Sequence, residues 1–373
     1  GLLMRSFVNL SRTDIGFAPG QLHAVELQLP RGRYRAPQEP VRFFEALVDR
    51  LRALPGVQAV GATSIAPLGN GDRNFSFHKE GEPPPDRPTG NGPALWHRQV
   101  TPDYFAAMRI ALRAGRVFTR EDGAESPAVA VINEAAAHQY WPGRSAVGER
   151  IYIDGPGGGS EPATIVGVVA NVRHDGQSAP VKPEVFVPLA QSPARGMTVM
   201  VRGAGDPVAL SSAVRGAIRE LDRAIPVGPV TPMVSRYAES VALPRLFTWL
   251  FAAFGAAALA LASVGIYGVV SYGVATRRRE FGVRMAVGAE PSRILAMVLR
   301  QGAALALAGA AAGVLGSIAA GRAVRALLVG VGAADPASLT MATLTLLAVG
   351  ACAVLIPARR AMRTDPVAAL RSG

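Results

Sequence analysis

From Leu246 to Ala275 the chain carries no charged side chain. At a rise of ~1.5 Å per residue, a helix of this length exceeds the ~20 residues needed to cross ~30 Å of hydrocarbon. Soluble core helices rarely run so far without a charge. The segment is therefore read as a membrane span, tilted or continued beyond the lipid. Trp249 near one end and Tyr267 and Tyr272 near the other suit the aromatic belts of a bilayer interface. Two further apolar runs follow, Gly302–Gly321 and Ala337–Ile356, each about the minimal spanning length. The composition agrees. Charged residues make up 18% of the chain, against roughly 25% in soluble domains, and the mean hydropathy is +0.24.

The net charge of +12 is concentrated beside these runs. Residues 277–300 hold six Arg and two Glu, and residues 357–373 hold four Arg and one Asp. Basic loops next to spans face the cytoplasm. The first span then runs inward, the second returns, the third re-enters, and residues 11–240 lie outside the cytoplasm. Anionic lipid is the expected neighbour of the basic stretches. Nucleic acid is not, because no aromatic-interleaved basic groove accompanies the charge.

Residues 11–240 read as an α+β domain. Gln21–Leu29, the helical stripe of Val41–Leu54 and Gly56–Thr63 make one β-α-β unit. A second contains Met197–Arg202, a helix capped by Asp206 with Pro207 in its first turn, and a returning strand over Ile225–Val230. The two units pair into one split sheet of ferredoxin-like kind, with an inserted α/β subdomain over about 70–192. Within the insertion, Thr101 and Pro102 start a short helix, Ala128–Ile132 is a strand, Asn133 caps a helix toward Trp141, and Thr164–Val172 and Glu184–Leu189 are strands. Gly155–Ser160 joins two strands and lacks the helix and Lys of a phosphate cradle.

No chemistry-bearing constellation emerges. The only Lys residues, Lys79 and Lys182, stand outside any P-loop pattern, so ATP is not expected to bind this chain. Neither a G-x-S-x-G nor an H-E-x-x-H motif is present. Cys352 is the single cysteine, and the five His are far apart, so no catalytic, cofactor-binding or metal-ligating residue is assigned. His174-Asp175 reads as a turn before Gly176, and Glu121-Asp122 as a solvated turn before Gly123. In the second apolar run Gly309 and Gly313 form a G-x-x-x-G, and Ala312 with Gly316 repeats the spacing. This stripe is either a helix-packing or subunit interface, or small residues filling a span of an Ala/Gly-rich chain.

The segment Arg277-Arg278-Arg279-Glu280-Phe281-Gly282-Val283-Arg284-Met285-Ala286-Val287-Gly288-Ala289 resembles the cytoplasmic signature of MacB/FtsX-type ABC transporter permeases. Pro357-Ala358-Arg359-Arg360-Ala361 through Asp365-Pro366 to Ala369-Leu370-Arg371 is similar to the terminus of that family. Val100–Phe105, Gly115-Arg116 with Phe118, Val131–Glu134, Tyr140–Gly143 and Ile165–Val169 look like its MacB-like periplasmic core, especially in a duplicated-permease branch. The resemblance implies a periplasmic core over 11–240 and an FtsX-like permease domain over 241–373 in the bacterial inner membrane. Its three transmembrane helices here are about 246–275, 302–321 and 337–356. A fourth helix should precede the core, and residues 1–10 look like its tail, as in a truncated chain or the second half of a longer one.

The same resemblance implies the mechanism and the partners. A cytoplasmic ABC ATPase on a separate chain binds and hydrolyses ATP, and the permease transmits the motion to the periplasm for efflux or export. Arg277, Arg278, Arg279, Glu280, Phe281, Gly282, Arg284, Met285, Gly288 and Ala289 are the expected ATPase-coupling segment. Phe281 and Met285 are spaced i,i+4 as apolar anchors, and Glu280 and Arg284, also i,i+4, are placed to pair with each other or with the ATPase. The competing reading is an amphipathic helix lying on anionic lipid. Further implied partners are a second permease half or a second copy, and a periplasmic adaptor or hydrolase; the alternative function is an ATPase-linked or orphan membrane-anchored regulator or binding module that controls a periplasmic partner.

Overall fold

A computed structural model describes residues 14–69, 71, 73–83, 93–153, 162–177, 179–204, 206–277, 280, 283, 284, 287, 290–323 and 336–362. The chain divides into two units, Thr13–Ala242 and Leu243–Gly373 together with Gly1–Arg12. Residues 1–10, the Gly155–Ser160 loop and the terminal Asp365–Arg371 motif lie outside the described residues.

The first unit begins with β1 (Leu22–Gln28), α1 (Gln38–Arg52) and β2 (Val57–Thr63). It closes with β10 (Gly196–Gly203), α4 (Pro207–Leu221) and β11 (Thr231–Pro232). These four strands lie in the order β11-β1-β10-β2, the split β-α-β arrangement expected from the sequence. Asp206 caps α4, accepting from the backbone N–H of Val208 at 3.1 Å and of Ala209 at 3.3 Å. The strand expected over Ile225–Val230 is a correction: pairing is confined to Thr231 and Pro232, against Ala24 and His23. Pro226 and Pro229 lack the N–H that a ladder needs.

Alternation along the strands divides the core. Val25, Leu27, Val199 and Val201 pack beneath Phe44, Leu47 and Leu51 of α1 and Val214 and Ile218 of α4. Leu22, Ala24 and Met200 face the other way, toward Tyr104, Phe105 and Met108 of a short helix α2 (Tyr104–Met108). Gly61 on β2 lets that helix sit down, since a Cβ there would lie 2.5 Å from the Tyr104 Cα. Arg202 reaches through this side and donates to the carbonyls of Ala107, Gly20 and Ala18 at 2.8, 2.6 and 2.6 Å.

The insertion is built of β3 (Asn74–Lys79), β4 (Ala94–Val100), β5 (Leu112–Gly115), β6 (Val129–Asn133), α3 (Glu134–Tyr140), β7 (Arg150–Ile153), β8 (Ala163–Val169) and β9 (Glu184–Pro188). Its pairings run β4-β3-β7-β8-β6-β9, and a parallel β4–β9 ladder from Trp96↔Glu184 to Val100↔Pro188 closes them into a ring. Val185 and Val187 join Phe77, Ile132, Ile165 and Trp141 in one cluster. Phe186 and Val131 join Phe105 and Phe118 in another. Asn133 caps α3 as expected, accepting from the Ala136 N–H at 2.9 Å. Strand β8 ends at Val169 rather than Val172.

His97 of β4 is buried and meets Phe75 edge-on at 5.3 Å. Burial, with the nearby Arg73 and Arg98 charges, lowers its pKa from 6.5 to about 4. Below pH 6.5 the unfolded chain takes up a proton there, while the folded chain does not until about pH 4. Stability from this group is therefore complete at neutral pH and is lost as pH falls between those values, by on the order of 3 kcal/mol. Urea midpoints of the full chain at pH 7 and pH 4.5 are expected to differ more than those of His97→Leu. An identical pH dependence would remove His97 from the account.

The second unit carries the apolar helices. Helix α5 (Met233–Thr276) contains the long uncharged run, α6 (Pro291–Ala323) the second and α7 (Pro336–Met362) the third. Residues Met233–Ala242 of α5 belong to the first unit, where Met233 is fully buried. Among the described residues, α5 and the stretch Ala296–Gly316 of α6 are long and apolar enough to cross a membrane; in α7 the apolar stretch, Thr343–Leu355, is shorter. Helices α6 and α7 approach closely at Gly302, where a Cβ would lie 2.4 Å from a Val354 methyl. Val270, Val298 and Val354 are buried together there.

Candidate functional site

The basic segment between α5 and α6 is the site that the sequence singles out. Helix α5 ends at Thr276, and the Arg277 N–H still reaches the Gly273 carbonyl at 3.3 Å. Glu280, Val283 and Arg284 are helical. The Arg284 guanidinium lies 2.6 Å from the Glu280 carboxylate, one of the two pairings their spacing leaves open, and both are about half exposed. A pair so open to solvent orients side chains and contributes less than about 1 kcal/mol. The second guanidinium nitrogen of Arg284 faces the Met297 Sδ of α6 at 3.9 Å. Arg284 thus lies between Glu280 and Met297 of α6.

Val283 and Val287 are 45% and 84% exposed, and the Val287 N–H donates to the Val283 carbonyl at 3.1 Å. They form a second i,i+4 apolar pair that sequence reasoning passed over; their spacing is the signal that finds them. Arg278, Arg279, Phe281, Gly282, Met285, Gly288 and Ala289 of the expected coupling segment lie outside the described residues. Arg277 is exposed.

The small-residue stripe behaves differently from Gly302. A Cβ at Gly309, Gly313 or Gly316 would meet nothing within 4 Å, and all three positions are exposed. Among the described residues these glycines pack against no other helix of the chain.

In the first unit two readings from the sequence change. Asp122 is not solvated: its carboxylate takes two bonds from the Arg116 guanidinium, at 2.7 and 2.9 Å, and one from the Thr119 N–H at 2.8 Å. The Arg116 fork is the main reason its pKa is lowered. Gly115, at φ +72°, precedes this clamp with its Cα turned onto the Val166 carbonyl. His174 does sit in a turn, yet its ring is buried, with Nε2 3.1 Å from a Glu184 oxygen that also accepts from Arg98 at 3.2 Å. Arg98 and Glu184 are each 1% exposed. A carboxylate and a histidine in contact have the parts of an acid–base pair. Here they are sealed from solvent, so the cluster joins β4 to β9 and offers no surface to a substrate. Among the described residues no group of three or more His, Cys, Asp or Glu is placed to hold a metal ion.

Residues 4–221 match the family described as MacB-like periplasmic core domain, and residues 252–366 match the FtsX-like permease C-terminal. The macrolide export ATP-binding/permease protein MacB of Agrobacterium fabrum is 26% identical over 280 residues, covering 73% of this chain and 42% of that protein. The pyoverdine export ATP-binding/permease protein PvdT of Pseudomonas putida is 25% identical over 274 residues, covering 69% of this chain and 40% of that protein. The chain thus spans about two fifths of the length of these curated relatives. Among solved structures, the periplasmic region of MacB from Actinobacillus actinomycetemcomitans aligns over 59% of this chain and 94% of that one, at 13% identity and a TM-score of 0.37.

Proposed function

Because the chain belongs to the family of MacB-like periplasmic core domains and continues into an FtsX-like permease C-terminal region, we propose that it is the permease component of an ABC-type transporter in the bacterial inner membrane. The observation that carries the reading is the basic turn at the end of α5, where Glu280 and Arg284 pair beside exposed Val283 and Val287. An open apolar pair framed by fixed charge suits docking into a cleft of a partner protein.

The proposed partner is a cytoplasmic ATPase subunit that binds and hydrolyses ATP. Its movement passes through the segment Arg277–Ala289 to the apolar helices and reaches the periplasmic domain, for efflux or export. Three described helices, α5, α6 and α7, are proposed to span the membrane. The first unit then faces the periplasm, and the basic turn and the C-terminus face the cytoplasm. The uncharged interior of the long apolar run supports a lever more than a polar pathway through lipid. A second permease half, or a second copy, would complete the assembly.

Solubilisation in mild detergent, affinity capture of the full-length protein and mass spectrometry test this directly. A stoichiometric P-loop ATPase is expected in the capture and is expected to disappear when residues 277–289 are deleted. Folded protein with no ATPase attached would remove the coupled permease.

A further inference from the structure

Helix α5 runs unbroken from Met233 to Thr276, and its first two turns are gripped from two sides within the first unit. Met233 is fully buried in one cluster with Phe105 and Phe186. The Arg236 guanidinium lies 2.6 Å from the Glu26 carboxylate of β1. Tyr237 packs against the same apolar cluster, and its hydroxyl accepts from Gln177 Nε2 in the loop between β8 and β9. One turn on, a Cβ at Gly176 of that loop would lie 3.7 Å from the Ser240 Cβ, an ordinary van der Waals contact. The loop is itself held in place. The Arg173 N–H donates to the Ile15 carbonyl at 3.0 Å, the Leu68 N–H to the His174 carbonyl at 2.8 Å, and Arg173 Nη1 to the Ala179 carbonyl at 2.6 Å. Gly16, at φ +82°, comes so near that a Cβ there would lie 1.8 Å from the Asn171 carbonyl oxygen. Ile15, Phe17 and Val172 fill the cluster that receives Met233 and Tyr237. The base of α5 is thus bonded to the sheet on one side and to a braced loop on the other.

Just beyond this grip the helix is weakened. Ala242, Leu243 and Arg245 are exposed. Residue 244 is the only proline of α5, well past the first turn where proline is tolerated. It has no N–H to offer the Ser240 carbonyl, and its ring crowds that carbonyl, which opens the hydrogen-bond ladder at this turn. Ser240 loosens the same turn from the other side. Its hydroxyl donates to the Tyr237 carbonyl at 2.7 Å, a back-bond of the kind that bends helices. A helix seized over two turns and weakened in the next yields at the weakened turn.

We propose that α5 is a jointed rod: Met233–Ser240 is a fixed part of the first unit, locked there by Met233, Arg236 and Tyr237, and the helix bends at Pro244. The joint is a property of this chain alone and does not depend on an ATPase to drive it.

Double electron–electron resonance on the full chain in detergent tests the joint. With Cys352→Ser as background, nitroxides are attached at Val208→Cys in the first unit and Leu250→Cys in α5, positions 74% and 43% exposed. A broad distance distribution is expected, and Pro244→Ala is expected to narrow it about twofold. A pair at Val208→Cys and Glu125→Cys, both in the first unit, is expected to stay narrow with either residue at 244. Amide hydrogen exchange reads the grip. Residues 233–240 are expected to exchange about tenfold faster in Gln177→Leu with Arg236→Met, and by a smaller factor in Tyr237→Phe, which loses only the hydroxyl. A distribution unchanged by Pro244→Ala would overturn the joint. Exchange over residues 233–240 indifferent to these side chains would overturn the fixed base. Breadth in the pair within the first unit would place the motion in that unit and overturn the proposal as well.

Discussion

Glu184→Leu is expected to destabilise the first unit by about 3–5 kcal/mol, because it leaves the Arg98 guanidinium charged and buried without its carboxylate. The same change removes the acceptor facing His174 Nε2 at a position where β4 and β9 pair. For a unit of this size the loss corresponds to a fall of roughly 10 °C in melting temperature. Thermal unfolding of the full chain in detergent reads it. Glu184→Leu combined with Arg98→Met is expected to recover most of the loss, since an apolar pair of similar volume is often as stable as the buried ion pair it replaces. A single variant no worse than an exposed ion-pair deletion, about 1 kcal/mol or less, would show that the buried charges are compensated elsewhere.

The second large effect is functional. Phe281→Ala with Met285→Ala is expected to return ATP hydrolysis by the reconstituted assembly to the rate of the ATPase alone. Two apolar anchors seated in a partner cleft each contribute roughly 2 kcal/mol, so their joint loss amounts to far more than tenfold in docking. Val283→Ser with Val287→Ser serves as the neighbouring test, because these side chains are exposed in the described turn. Arg284→Gln is expected to do less, since its pairing with Glu280 is solvated. Normal stimulation of hydrolysis in the Phe281/Met285 double variant would rule out docking through this segment.

The two β-α-β units were legible because a helix with a clean apolar stripe, Val41 to Leu51, leaves a periodic trace. Caps at Asn133 and Asp206 were legible for the same local reason. The closed ring was not. Strand β5 is exposed along its whole length, and β4 buries His97, Arg98 and Gln99 in place of apolar residues. Polar residues become core only when a distant partner satisfies them, here Glu184 for Arg98 and Ser192 for Gln99. No window of neighbouring residues carries that information. The misplaced final strand shows the opposite failure: Ile225, Val227 and Val230 alternate well, and two prolines forbid the ladder. The i,i+4 spacing of Glu280 and Arg284 left two pairings open, and the contact between them is a fact of the structure.

The position of β10 between β1 and β2 bears on the order of events as the chain emerges. The first β-α-β unit is complete in sequence by Thr63, yet its two strands have no ladder to each other and each is paired to residues near 200. The ring closes earlier in the chain, at Pro188. A chain delivered from its N-terminus therefore holds an unfinished sheet while the ring assembles, and only the arrival of Gly196–Gly203 stitches the beginning of the unit to its end. Until then the edges of β1 and β2 stand open, which makes the interval before that strand arrives the time of greatest exposure to mispairing.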